Sequence, residues 1–117
     1  MGIRNKNSEI FKKLFENKTW CKIQKQERRG QSSWYGFNLI LTGKLKNKRQ
    51  EIIRKLLKNK IEVRPTMTGN FLNNPVMKFL DYKTNGTFKN AINIDQNGLM
   101  YILSKEKRVK TKNVFYL

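Results

Sequence analysis

Chemistry in a protein begins with groups that carry a proton, a metal or a nucleophile, and this sequence offers few of them. It has no histidine, a single cysteine (Cys21), and eight Asp or Glu residues against 26 Lys or Arg. Without histidine there is no Ser-His-Asp or Cys-His arrangement. One thiol cannot complete a tetrahedral metal shell. Gly43–Lys48, GKLKNK, lacks the G-x-x-x-x-G-K-[ST] spacing that wraps backbone N–H groups around a phosphate. What remains are groups that bind rather than react. Arg64 brings a guanidinium, which suits a phosphate or carboxylate bidentately. Gly69 and Asn70 can approach a ligand through backbone and amide, and Ser32 and Ser33 offer hydroxyls just ahead of an aromatic run. Each also has a plain structural reading: a strand-end arginine in solvent, turn formers, and the start of a strand. Trp34, Tyr35 and Phe37 read as core rather than as a stacking platform.

The elements that must position these groups are legible in the pattern. The chain has 117 residues, enough for one domain. Residues 8–17 read as an amphipathic helix with Ser8 as N-cap and Ile10, Phe11, Leu14 and Phe15 on one stripe. A short strand is expected within residues 18–25, then a loop, Glu27–Ser33. The run Trp34–Thr42 is the most strand-like: Phe37, Leu39 and Leu41 face one way, Trp34, Gly36, Asn38 and Ile40 the other, with bulk on both faces. After a turn at Gly43, residues 46–60 form a helix with Ile52, Ile53, Leu56 and Leu57 inward. Ile61–Arg64 is a second short strand, ended by Pro65. Strand, helix and strand make a split α/β unit. The loop 65–75 is rich in turn formers. Asn74 and Pro75 open a short helix, residues 87–96 form another that Asn97-Gly98 stops, and Leu99–Leu103 is a last strand. The expected fold is therefore α/β or α+β, a sheet of three or four strands with helices mainly on one face.

The net charge is +18, and its distribution matters more than its size. Residues 1–60 carry +13, residues 61–103 only +1, and residues 104–117 carry +4. Asparagine is also frequent, at 14 positions, and with Lys and Ile it marks an AT-rich coding sequence, which explains the basic composition without a polyanion partner. A small nucleic-acid-binding protein is the competing reading, and it requires clustered cations with exposed aromatics between them. No apolar run approaches the ~20 residues that span a bilayer. MGIRNKNSEIF is charged and lacks a following apolar stretch, so the expectation is a cytoplasmic chain without a leader or a membrane anchor.

One combination of residues carries more information than the rest. Ser32-Ser33-Trp34-Tyr35-Gly36-Phe37 is followed by a helix, then Ile61-Glu62-Val63-Arg64-Pro65, then Gly69-Asn70-Phe71 with Asn74-Pro75, and finally Asn90-Ala91 with Asn97-Gly98-Leu99. This order and spacing resembles the C-terminal small domain of the DegT/DnrJ/StrS sugar aminotransferase family, nearest its nucleotide-sugar 3-dehydratase and lipopolysaccharide-biosynthesis subgroup. The likeness covers about residues 5–100. It implies a pyridoxal-phosphate enzyme, a homodimer, acting on a nucleotide-linked 4-keto-6-deoxy sugar by transamination or C3 dehydration in deoxysugar biosynthesis. It also implies that Arg64, Gly69, Asn70, Ser32 and Ser33 face substrate or cofactor. Two departures stand out. The large domain, with its catalytic lysine or histidine, is not in this sequence. Beyond Leu99 the family's "G-N-H-H"-like strand is replaced by Met100–Ser104 and a basic run. Residues 1–103 thus read as a small-domain fragment and residues 104–117 as a basic tail, divergent or disordered. Such a fragment is expected to be inactive alone and not to hold pyridoxal phosphate by itself. With the large domain missing, Ile10, Phe11, Leu14, Trp34 and Phe37 are expected to stand partly bare.

Nonspecific attraction to polyanions follows from the charge alone. Random-sequence DNA should bind at low salt and lose roughly a thousandfold in affinity between about 50 and 200 mM salt, as counterion release dictates. A filter-binding titration across that range checks it, and sequence-dependent nanomolar binding at the upper end would instead favour the nucleic-acid reading.

Overall fold

A computed structural model describes residues 2–102. Helix α1 spans Gly2–Phe15, and strand β1 is Cys21–Ile23. Strand β2 is Gly36–Leu41, helix α2 is Arg49–Lys58, and strand β3 is Val63–Pro65. Helix α3, Lys89–Asn97, runs directly into strand β4, Gly98–Ile102. Short 3-10 turns lie at Gly43–Leu45, Phe71–Asn73 and Pro75–Phe79. The four strands form one antiparallel sheet in the order β1-β2-β4-β3. Because β4 is antiparallel to both neighbours, β2 and β3 run the same way with β4 between them. This is the split α/β unit that the sequence implies.

The alternation in β2 decides where the core lies. Phe37, Leu39 and Leu41 are buried, and their cross-strand partners Tyr101 and Leu99 on β4 are buried with them. Helices α1 and α2 cover this face with Phe11 and Phe15 from one and Ile52, Ile53 and Leu56 from the other. Burying a leucine as completely as Leu56 stabilises the fold by about 1.5–3 kcal/mol. Helix α3 sits on the opposite face, where Ile94 lines a cavity with Asn38 and Ile40. That face is only half covered, so Gly36, Asn38 and Ile40 are half-buried rather than enclosed.

Several local expectations give way to packing. Helix α1 begins six residues before Ser8, which lies mid-helix, buried beside Asn7, with its hydroxyl donating to the Asn5 carbonyl at 2.7 Å. A small residue is tolerated there because the helix presses close to the sheet. Leu57 is exposed, since it lies at the far edge of the apolar arc, roughly 140° around α2 from Ile52. Trp34 does not start the strand: it takes a left-handed backbone (φ 48°), which turns its indole back into the core against Phe37. Phe11, Trp34 and Phe37 are buried within the chain itself, contrary to the expectation that they stand bare. Pro65 is the last residue of β3 rather than its terminator, which an edge strand permits. The helix expected after Asn74 is a 3-10 turn, capped as anticipated by the Asn74 side chain on the Val76 N–H. The basic tail, residues 104–117, lies outside the described residues.

Two buried protonated groups tie stability to pH. Burial pushes the Cys21 thiol from 9.0 up to about 11, against the opposing pull of Lys18. Burial, and then the neighbouring Cys21, push the Tyr101 hydroxyl higher still. Both groups keep their protons in the folded state more tightly than in the unfolded chain. The Cys21 contribution is therefore fully present below about pH 9 and lost as pH rises toward 11, and that of Tyr101 is lost from about pH 10 upward. Chemical denaturation at stepped pH should show stability falling over that window, and Cys21→Ala should flatten part of the fall.

Candidate functional site

The loop that follows β3 is built from the residues singled out by type and spacing. Thr66 still pairs with the sheet, its N–H donating to the Gly98 carbonyl at 3.2 Å. Thr68 then adopts a left-handed conformation (φ 53°), uncommon for a β-branched residue and held only where surroundings demand it. Gly69 lies hard against α3: a Cβ there would stand 2.5 Å from the Asp95 backbone, so only glycine allows this approach. The Asn70 side chain accepts from the Leu72 N–H at 3.2 Å and closes the first 3-10 turn. Asn73 donates its amide to the Asp95 carboxylate at 2.9 Å, fastening the loop to α3 a second time.

Helix α3 is itself fixed by two residues that the sequence does not advertise. Arg49, at the start of α2, donates to the Asp95 carbonyl and, at 3.3 Å, to the Gly98 carbonyl. A cation at the C-terminal end of a helix meets carbonyls that lack intrahelical partners and the negative end of the dipole. Asn97 is buried, accepts from the Asn47 N–H at 2.6 Å and donates to Asn93 at 3.0 Å. Asn47 is left-handed (φ 63°), so its turn presents that N–H to α3. Arg49 is one of 26 basic residues and has no pattern to mark it. Asn97 carried a signal only as a helix stop.

Arg64 pairs in register with Met100 on β4 and therefore shares the α3 side of the sheet with Gly69 and Asn70. Its guanidinium is exposed at the sheet edge and meets Glu62 at 3.1 Å, an exposed pair of small energetic weight that leaves the arginine ready to exchange partners. Ser32 and Ser33 lie elsewhere, in the exposed loop before β2. Ser32 accepts from the Trp34 N–H at 3.1 Å and lines a cavity of about 460 Å3 with Asn5, Glu9, Lys12, Arg28 and Trp34. Lys12 sits over the Trp34 ring at 4.8 Å and also pairs with Glu9. The β2–β4 register sets Gly36 beside Ile102 and Ile40 beside Gly98, so the serines and the Gly69 loop flank opposite ends of the sheet. Within this chain they form two groups, not one pocket.

Pyridoxal phosphate needs an anchored phosphate, a group facing its ring nitrogen, and an enclosing pocket with a lysine or histidine at its aldehyde. A groove of about 810 Å3 beside β1 is lined by Cys21 and Ile23 at its base and by Lys12, Lys18, Lys22, Lys25 and Glu16 around it, an open surface trough with no paired anchors for a phosphate and a ring nitrogen. The described residues do not by themselves make a site that fits the cofactor. Among them, no three His, Cys, Asp or Glu residues gather as a metal site would require. No helix among them is long and apolar enough to cross a membrane.

No family model matches the chain. Two curated proteins do, both GDP-4-keto-6-deoxy-D-mannose 3-dehydratases. The one from Yersinia pseudotuberculosis is 45% identical over 98 residues, covering 83% of this chain and 24% of the relative. The one from Escherichia coli O55:H7 is 36% identical over 100 residues, covering 85% of this chain and 25% of the relative. The solved structure of the E. coli 3-dehydratase with bound hydrated PLP superposes with a TM-score of 0.82 at 31% identity, over 98% of this chain and 29% of that one. A variant of GDP-4-keto-6-deoxymannose 3-dehydratase with bound GDP-perosamine superposes with a TM-score of 0.77 at 35% identity, over 87% and 26%. The chain thus spans about a quarter of the length of the relatives it matches.

The Arg49 clamp makes a measurable demand. Arg49→Ala should strip the Asp95 carbonyl of its partner, leave the Gly98 carbonyl with Thr66 alone, and destabilise the chain by about 1–3 kcal/mol in urea denaturation. Arg49→Lys, with one point charge in place of a fork, should recover only part of the loss.

Proposed function

We propose that this chain is the C-terminal small-domain portion of a pyridoxal-phosphate-dependent GDP-4-keto-6-deoxymannose 3-dehydratase of the DegT/DnrJ/StrS family. The observation that carries the reading is the superposition of nearly the whole chain on one quarter of the PLP-bound E. coli enzyme, at a sequence identity well above chance. When bound in the rest of such an enzyme, the cofactor supplies the electron sink. The part left to this chain is to shape and charge one wall of the nucleotide-sugar pocket.

In that role Arg64 exchanges Glu62 for the diphosphate of the nucleotide sugar, a planar donor fork meeting anionic oxygens. Asn70 keeps its oxygen on the Leu72 N–H and turns its amide nitrogen to the sugar, while Gly69 holds the loop down on α3. Ser32 accepts from Trp34 and so retains its hydroxyl proton to donate; Ser33 stands exposed beside it. Two widely separated groups suit a ligand as long as a nucleotide sugar, or two pockets of a homodimer. The reading carries with it a cytoplasmic enzyme of lipopolysaccharide deoxysugar synthesis. The nucleic-acid reading has less support among the described residues. Trp34 and Tyr35 already have Lys12 and Arg4 over their rings, and the exposed aromatics Phe71, Phe79 and Tyr82 lie in the stretch of lowest charge.

The test is a graft. Replacing the matching quarter of the Yersinia relative by this chain should give a protein that consumes GDP-4-keto-6-deoxymannose. Arg64→Ala in the graft should then lower kcat/KM by about tenfold to a hundredfold, chiefly through KM, as expected for a lost charge-assisted contact. A folded, PLP-loaded graft without turnover would overturn the reading.

A further inference from the structure

The chain buries its aromatic core well, yet one stretch is left bare. Met67 is 73% exposed and Phe79 86%, and between and beyond them Phe71, Val76, Leu80 and Tyr82 are each about half exposed. These six apolar side chains fall within sixteen consecutive residues, 67–82, whose only charges are Lys78 and Asp81. In a protein of net charge +18 this is a neutral, apolar strip. Apolar clustering on that scale marks a surface meant to be covered. The strip is also held stiffly. Asn70 and Asn74 each cap a 3-10 turn through their side chains, Pro75 opens the second turn, and Asn73 and Gly69 fasten the loop to α3. A loop that had simply failed to find a core would not need so many internal supports. Preorganisation of this kind lowers the entropy cost of association.

We propose that residues 67–82 are a docking surface for the remaining three quarters of the 3-dehydratase polypeptide, seated through Phe79, its most exposed apolar side chain, together with Met67, Phe71 and Tyr82. This rests on the functional reading above and extends it by naming the contact that joins the two parts. The occupant is identified by the relatives: the match spans about a quarter of their length, so a polypeptide surface of much greater size accompanies this fold in them. The strip's neutrality fits an apolar protein surface and not a polyanion. Phe79, at 86% the most exposed of these side chains, is a large aromatic of the kind that anchors such contacts once buried.

Methionine oxidation reads the coverage directly. With hydrogen peroxide and mass spectrometry, Met67 in the isolated full chain should oxidise freely, with the buried Met100 as the slow internal reference. In the graft with the Yersinia relative, Met67 oxidation should slow by about tenfold or more, and Phe79→Asp should restore the fast rate. The same substitution in the isolated chain should leave its unfolding midpoint unchanged, because Phe79 makes no part of the core. Protection of Met67 already in the isolated chain overturns the proposal. Protection that grows with concentration identifies a second copy as the occupant, and protection lost on removing residues 103–117 identifies that segment. A graft that turns over substrate with Met67 still open removes the docking surface and leaves the functional reading standing. An inactive graft with Met67 covered does the reverse. Should the graft not fold, the chain co-expressed with the remainder of the relative is the second measurement. Capture that Phe79→Asp abolishes supports the surface, and no capture, or capture it leaves unchanged, overturns it.

Discussion

Five aromatic rings hold this fold together. Phe11 and Phe15 of α1 pack against Phe37 of β2 and Tyr101 of β4, with ring centroids between 5.1 and 6.5 Å, and Trp34 closes the stack on Phe37 at 5.8 Å. Each such pair is worth about 0.5–1.5 kcal/mol beyond the area it buries. The cluster fixes where α1 lies and thereby which sheet face is the inside. It also explains the backbone of Trp34: a left-handed residue is the cost of turning the indole inward. The Tyr101 hydroxyl has no hydrogen-bond partner among the described residues, so apolar packing has outweighed the loss of a polar contact there.

The opposite face is organised by polar contacts instead. Arg49 reaches from α2 to the carbonyl of Asp95, and the carboxylate of the same Asp95 holds Asn73 of the loop. One residue of α3 therefore links the helix behind the sheet edge to the loop in front of it. A loop holds its conformation more accurately when it is braced by secondary structure rather than left to its own turns. The Gly69–Pro75 stretch combines a close backbone approach, two asparagine caps and a side-chain tether, which together define its path residue by residue.

Much of this was legible from pattern. The period of two in Phe37–Leu41 identified the central strand and its buried side, and the apolar spacing in Ile52–Leu56 identified α2. Asn74-Pro75 declared a helix start, and a helix start of the 3-10 kind is what stands there. The illegible part has a common cause: periodicity says which residues share a face, and says nothing of which faces meet. Ser8 resembled a cap because small hydroxyl residues favour caps, but close packing of α1 on the sheet also requires small residues. Leu57 extended the stripe on paper, yet it stands at the edge of the arc, where α2 turns away from the sheet. The candidate residues could be named from the sequence, but not where the fold would set them. Gly69 and Asn70 were recognisable from local spacing, whereas Arg49 and Asp95 acquire their role from contacts between segments 46 residues apart.

The strand order has a consequence for how the molecule comes into being. β4 is the last described strand in the chain and lies between β2 and β3, pairing with five residues of one and three of the other. During vectorial synthesis everything before Gly98 leaves the ribosome with the middle of the sheet vacant. Until β4 inserts, the inward edges of β2 and β3 hold unpaired N–H and C=O groups, and Phe11, Phe15 and Phe37 lack the Tyr101 ring. Closure of this fold is thus a late, nonlocal event, slow by the logic of loop closure and exposed to association while it waits. A nascent chain halted a few codons short of β4 would hold most of the sequence and little of the structure.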